Sequence, residues 1–260
     1  MRFMEARDIL SHLRTQTLGR TLRLHDEVDS TNLRAVAAIR TGCAVHGEVH
    51  MARRQTAGRG TGERSWDSAS PDGLWATLVL LEGPPLPAPL PFWPALAIHD
   101  VLTREFAVPA RLKWPNDVLV HARKIAGILV ETTPTPDGGQ GYAVGMGVNL
   151  LQTAFEGDLA GTATSLRMEI GLDVPPAAFL ISLLEALEAW EERDLLDGFV
   201  KASRMLLRPL RAERDGTWIT ATPIGITKEG FLEVEREDGS LETWVSGGAV
   251  RIDPESLDQP

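Results

Sequence analysis

Residues 112–149 constrain the fold more tightly than any other stretch. Leu112 to Trp114 and Val118 to His121 are short runs of strand character on either side of a polar corner, Pro115-Asn116-Asp117. Proline presets the first turn position, and Asn and Asp accept the remaining turn geometry, so a tight turn is expected here. Two longer apolar runs follow, Ile125 to Thr132 and Tyr142 to Asn149, joined across Asp137-Gly138-Gly139. That is the signature of a hairpin. The stretch is also chemically unusual. The chain has 26 basic residues, yet only Lys113, Lys124, Lys201 and Lys228 are lysines, and two of them bracket the corner. Lysine supplies a compact, movable point charge that arginine does not reproduce.

Elsewhere the pattern predicts an amphipathic helix over 3–14 and a strand over 20–25. Asp29-Ser30-Thr31-Asn32 is rich in helix-capping residues, Leu33, Val36 and Ala37 follow at helical spacing, and Gly42 marks a stop. Strands are expected at 45–53 and 74–81, with a glycine-rich loop from Gly58 to Trp66 between them. Six prolines within 83–94 make a stiff lead into a helix at about 95–106. Pro176 suits the first turn of a helix running to about Leu195. After residue 208 the character changes to short strand-like runs at 217–226, 230–236, 241–245 and 249–252. Turns at Glu229-Gly230 and Asp238-Gly239 separate the first three, a spacing that predicts a small β-barrel. The expected domains are therefore 1–208 and 209–260.

Composition excludes several functions. A net charge of −10 opposes general binding to nucleic acid. One cysteine, Cys43, excludes an intrachain disulfide and a multi-cysteine metal site, and its surroundings read as those of a small buried hydrophobe. The N-terminal residues have no apolar signal core and no apolar run approaches ~20 residues, so a cytoplasmic protein with no membrane partner is expected. His46 and His50 fall four apart, but on a strand that spacing gives no helical convergence on a metal.

Three further motifs carry chemistry. Residues 53–66 hold four arginines and three glycines, which suits a phosphate or carboxylate, although glycine and arginine alone also make a solvated loop. No Walker A motif is present, and Glu63 replaces the third glycine of a dinucleotide fingerprint. Ser30-Thr31-Asn32 reads by itself as a cap. Gly145-Met146-Gly147-Val148-Asn149 reads by itself as a strand approached closely by another group.

Taken together, Lys113-Trp114-Pro115-Asn116-Asp117, Lys124-Ile125-Ala126-Gly127, the loop Gln55 to Trp66, Ser30-Thr31-Asn32 and the Gly145–Asn149 strand closely resemble the motifs of biotin protein ligases. The resemblance runs from about Leu22 to Ile252. Thr61, Gly62 and Glu63 depart from the usual Gly-Arg-Gly-Arg-Arg-Gly-Arg-x-Trp loop, and Thr61 replaces its second arginine. The resemblance implies an α+β fold. A catalytic domain with a mixed, largely antiparallel sheet flanked by helices would precede a small C-terminal SH3-like barrel. It implies ATP-dependent, AMP-forming ligation. Biotin is activated to biotinyl-5′-AMP and passed to a lysine on the biotin carboxyl carrier domain of acetyl-CoA carboxylase.

The same resemblance assigns residues. Lys124 and Arg59 would be catalytic. Ser30, Thr31, Asn32, Gln55, Gly58, Arg59, Gly60, Thr61, Trp66, Lys124 and Gly127 would contact biotin. Arg59, Arg64, Lys113, Trp114, Asn116 and Asn149 would contact ATP, and Asp117 would meet Mg²⁺, with no tightly bound metal. Only 29 residues precede Ser30, so a ligase without an N-terminal DNA-binding domain is expected, with no specific DNA partner; a homodimer is compatible. A lipoate-type ligase and a non-enzymatic biotin sensor are the alternatives.

Overall fold

The computed structural model describes residues 5–62, 64–81, 89–214, 216–245 and 250–257. Its elements are α1 (Ala6–His12), β1 (Leu22–Val28), α2 (Thr31–Arg40), β2 (Val49–Gln55), β3 (Gly73–Leu81), α3 (Phe92–Asp100), β4 (Ala110–Lys113), β5 (Asp117–Val120), β6 (Arg123–Pro134), β7 (Gln140–Asn149), α4 (Leu166–Ile170), α5 (Pro176–Trp190), α6 (Leu195–Ser203), β8 (Leu210–Arg214), β9 (Thr217–Ile226), β10 (Leu232–Arg236), β11 (Leu241–Trp244) and β12 (Val250–Ile252).

The first seven strands form one sheet in the order β1-β2-β3-β7-β6-β5-β4. Only β1 and β2 pair in parallel; the other neighbours are antiparallel. Strand β3 is buried from Gly73 to Leu80 because helices cover both faces. Successive side chains alternate between faces. Thus Val79 packs with Ala35 and Ile39 of α2, whereas Leu78 and Leu80 join α3 and α5 in the main core.

Strands β8 to β12 form a separate five-stranded antiparallel sheet, β11-β10-β9-β8-β12. Its Ala212, Ala221, Leu232, Val234 and Trp244 belong to the same continuous buried cluster as the larger sheet. The indole N–H of Trp114 donates to the Gly230 carbonyl at 2.8 Å, linking the two sheets.

Several boundaries differ from the sequence expectation. The helix expected over 177–195 ends at Trp190, and a second, unexpected helix starts at Leu195. Asp194 caps the second by accepting from the backbone N–H groups of Leu196 and Asp197, each at 3.0 Å. Helix α3 begins at Phe92 and continues past Asp100 as a π-helical turn, Val101–Glu105. Strand β2 begins at Val49, since Gly47 turns the chain with φ +77°. Strand β8 was not expected. Cys43 is exposed rather than buried, because the chain has already left α2 there. The expected helical positions 3–4, the first half of the proline run (83–88), the substituted loop position Glu63 and strand position 249 lie outside the described residues.

Candidate active site

The β5–β6 hairpin positions the cationic side chain at the centre of the site. Asp117 pairs with Gly127 and Val118 with Ala126, but Leu119 pairs with Lys124, so β6 carries one extra residue, Ile125. Such a bulge changes the alternation of the strand. It brings Lys124 to the face occupied by Gly127, three positions on. A Cβ on Gly127 would lie 2.9 Å from Lys124 Cε and 2.9 Å from the Trp66 ring. On the neighbouring strand, a Cβ on Gly147 would lie 2.7 Å from the same indole. Both glycines are therefore required by the close approach of Trp66.

Asp117 fixes the two lysines. Its carboxylate lies 2.8 Å from Lys113 Nζ and 2.5 Å from Lys124 Nζ. Burial acts to raise the Asp117 pKa, but Lys124 and Lys113 outweigh it and hold the group well below the usual carboxylate range. Lys124 also sits over the Trp66 ring, 5.1 Å from its centroid. Each Asp117 oxygen already carries an ammonium group, so this carboxylate does not fit a metal ligand in the arrangement seen. Among the described residues no group of three or more His, Cys, Asp or Glu side chains could hold a metal ion.

A buried polar network forms the opposite wall. Gln55 Oε1 accepts from the Thr31 backbone N–H at 2.7 Å and from its hydroxyl at 3.1 Å, while Gln55 Nε2 donates to Ser68. The Thr77 hydroxyl donates to Asn32 Oδ1 at 2.6 Å, and Asn32 Nδ2 donates to Glu131 at 3.0 Å. Glu131 in turn pairs with Arg59 at 2.8 Å. Ser30 stands at the N-cap of α2 without a side-chain cap bond, and its buried side chain lines the cavity. The Arg59–Ser65 bridge makes the glycine loop a short hairpin, and Asn116 Nδ2 donates to Thr61 Oγ1 at 3.0 Å, fastening it to the β4–β5 corner.

These walls enclose a cavity of about 110 Å³. The structure brings Ser30, Thr31, Asn32, Gln55, Arg59, Gly60, Thr61, Arg64, Trp66, Asn116, Asp117, Lys124 and Gly127 to its lining. Lys113 and Asn149 instead line a neighbouring cavity of about 690 Å³, which shares Arg64, Trp66, Asp117 and Lys124 with the first. Gly58 lines neither; a Cβ there would strike Ser68 Oγ at 2.2 Å and the Trp66 carbonyl at 2.4 Å. Trp114 lines neither, being 2% exposed and bonded to Gly230. Thr77 and Glu131 were missed by sequence reasoning. Both lie on apolar strands, and only three-dimensional pairing with Asn32 distinguishes them. The Trp66 indole N–H is buried with no hydrogen-bond partner, a costly arrangement for a polar group.

Where the two cavities meet, Arg64 and Lys124 face one shared carboxylate, Asp117, while Asp67, Asp158 and Asp253 also line the larger cavity. Such a site can hold two anions close together and stabilise charge that develops between them.

Comparison with known proteins agrees with this chemistry. The model of the biotin/lipoate A/B protein ligase family matches residues 26–149. The biotin–[acetyl-CoA-carboxylase] ligase of Paracoccus denitrificans is 38% identical over 221 residues, covering 82% of this chain and 90% of that protein. The bifunctional ligase/repressor BirA of Bacillus subtilis is 28% identical, over 87% of this chain and 73% of its own length. Among solved structures, the biotin protein ligase of Aquifex aeolicus in complex with biotin and ATP superposes with a TM-score of 0.72 at 26% identity. That match covers 90% of this chain and 98% of the other.

Proposed function

The chain belongs to the biotin/lipoate A/B protein ligase family, and from that membership we propose that it is an ATP-dependent biotin protein ligase acting on the biotin carboxyl carrier domain of acetyl-CoA carboxylase. The observation that carries this reading is Lys124, held by Asp117 between two cavities that meet at Trp66. Biotin occupies the smaller, polar-walled cavity and ATP the larger one, where Lys113 and Asn149 stand. Mg²⁺ enters with ATP as a substrate ion.

In the first half-reaction a biotin carboxylate oxygen attacks the α-phosphorus. The bond to the β-phosphate oxygen breaks, and pyrophosphate leaves with the electron pair. Lys124 lies where these two anions meet and offsets their repulsion, while Arg59 and Arg64 supply charged donors from the loop. In the second half-reaction the neutral ε-amine of a carrier lysine attacks the acyl carbon, the bond from that carbon to the AMP oxygen breaks, AMP departs with the electron pair, and the nitrogen gives up a proton to solvent. The C-terminal five-stranded sheet is read as the family's small SH3-like barrel, closing the ATP cavity through Trp218 and Pro254.

Isothermal titration with biotin and with lipoate tests the ligand class. Saturable binding of biotin at least tenfold tighter than lipoate supports the reading; preference for lipoate would replace it with a lipoate-type ligase.

A further inference from the structure

The β4–β5 hairpin has Lys113 opposite Asp117 at one end and Ala110 opposite Val120 at the other. Beyond that second end, α3, α6 and β4 surround another cavity, of about 500 Å³, which shares no lining residue with the two above. Its size lies in the range of small-molecule sites, roughly 300–1,000 Å³. Arg104, Arg111, Lys201 and Arg204 line it together with His99 and His121, against one carboxylate, Asp100. In a chain of net charge −10 this concentration of cations is out of proportion.

The partners of these groups indicate what is left over. Asp100 accepts from Trp190 Nε1 at 3.0 Å and lies 3.3 Å from Arg104. Lys201 is paired with Asp197 at 2.6 Å, and Arg111 donates to the Leu257 carbonyl at 2.8 Å. Arg204 has no carboxylate partner among the described residues, and it closes α6 in the left-handed conformation, φ +52°. His99 Nδ1 is buried, with no partner within hydrogen-bond geometry and the Asp100 carboxylate 3.6 Å away. Burial pushes the His99 pKa down; Asp100 pulls it partly back, and Arg104 and Arg204 add to the depression. Leu96, Trp190 and Ala202 supply an apolar floor. A Cβ on Gly198 would lie 2.7 Å from the Trp190 ring, so this glycine lets α6 close on that floor.

We propose that this cavity is a binding site for a small phosphorylated metabolite, distinct from the biotin and ATP cavities. Its phosphate is held by Arg104 and Arg204 beside His99 and His121, and its body lies against Leu96, Trp190 and Ala202. Guanidinium groups match the geometry of phosphate oxygens and stay charged at all relevant pH values. A concave site with an apolar floor suits a small molecule better than the flat surface of a protein partner.

The test is NMR of the imidazole resonances in the full chain, titrated with inorganic phosphate and with glycerol 3-phosphate. The other four histidines serve as internal controls. Saturable shifts of His99 and His121, absent with chloride at equal ionic strength, are expected. Arg204→Ala and, independently, Arg104→Gln should weaken binding at least tenfold, while Lys124→Ala should leave it unchanged. The absence of a saturable shift, a shift insensitive to both arginine variants, or one abolished by Lys124→Ala would overturn the proposal. Tighter binding of a phosphoserine peptide than of either small phosphate would overturn it as well.

Discussion

Among single residues, a small number of charges and the two glycines beneath Trp66 decide the chemistry of the site. Lys124→Ala should lower biotin-dependent pyrophosphate release by ~10²–10³, the usual cost of removing an electrostatic stabiliser from a reacting centre. The circular dichroism of the variant should match the wild type, because Lys124 is partly exposed and carries no core packing. Near wild-type turnover would remove Lys124 from the mechanism. Gly147→Ala tests the other side of the same contact. Its methyl group would lie 2.7 Å from the Trp66 indole, so biotin affinity should fall about tenfold or more as the ring is displaced. Unchanged affinity by titration would show that Trp66 has room to move. Lys124 and Gly127 were legible in the sequence. Thr77 and Glu131 were not, because a polar residue inside an apolar strand shows its purpose only when the chain folds Asn32 against it.

The glycine loop and the hairpin beside it act at the scale of elements. A cavity of about 110 Å³ is smaller than the roughly 300 Å³ at the low end of small-molecule sites, so the loop and Trp66 must shift to admit ligand. Trypsin should therefore cut at Arg59 or Arg64 in the free protein and several-fold more slowly with saturating biotin. Equal rates would argue against an ordering loop. Thr61 is bonded to Asn116, and Arg64 Nε donates to the Thr61 carbonyl at 3.1 Å, which ties a guanidinium to the position where the family's loop carries an arginine. Thr61→Arg adds a second cation and should slow the release of biotinyl-5′-AMP severalfold; an unchanged dissociation rate would show that Arg64 already suffices. The turn at residues 115–117 and the strands beside it followed from the residue pattern, but the β5–β6 turn at His121-Ala122 and the bulge at Ile125 that turns Lys124 toward Gly127 have no sequence signature. The break between α5 and α6 did have one, the capping Asp194, hidden within a run of helix-forming residues.

For the whole molecule, one buried and two partly buried histidines shape stability between neutral and mildly acidic pH. His25, His50 and His99 all have pKa values lowered first of all by burial, and Asp100 and Glu48 offset this only in part. In the unfolded chain each titrates at about 6.5. Their contribution to stability is therefore complete above that pH and is lost as pH falls from there toward the lower folded-state values, since the unfolded chain then binds more protons. Denaturant midpoints should decline between pH 7.5 and 5.5, and His99→Gln should reduce the decline. A midpoint that rises toward pH 5.5 would contradict the assignment. The overall α+β order was readable because turns and apolar periods are local. The shared core of the two sheets, tied by Trp114 to Gly230, was not, since Trp114 is remote in sequence from its partner. Biotin adenylation at Lys124 is read out by ATP-dependent pyrophosphate release from the full chain. Release should require biotin, find no support from lipoate, and drop at least a hundredfold in Lys124→Ala; release independent of biotin, or equal with lipoate, would overturn biotin adenylation at this site.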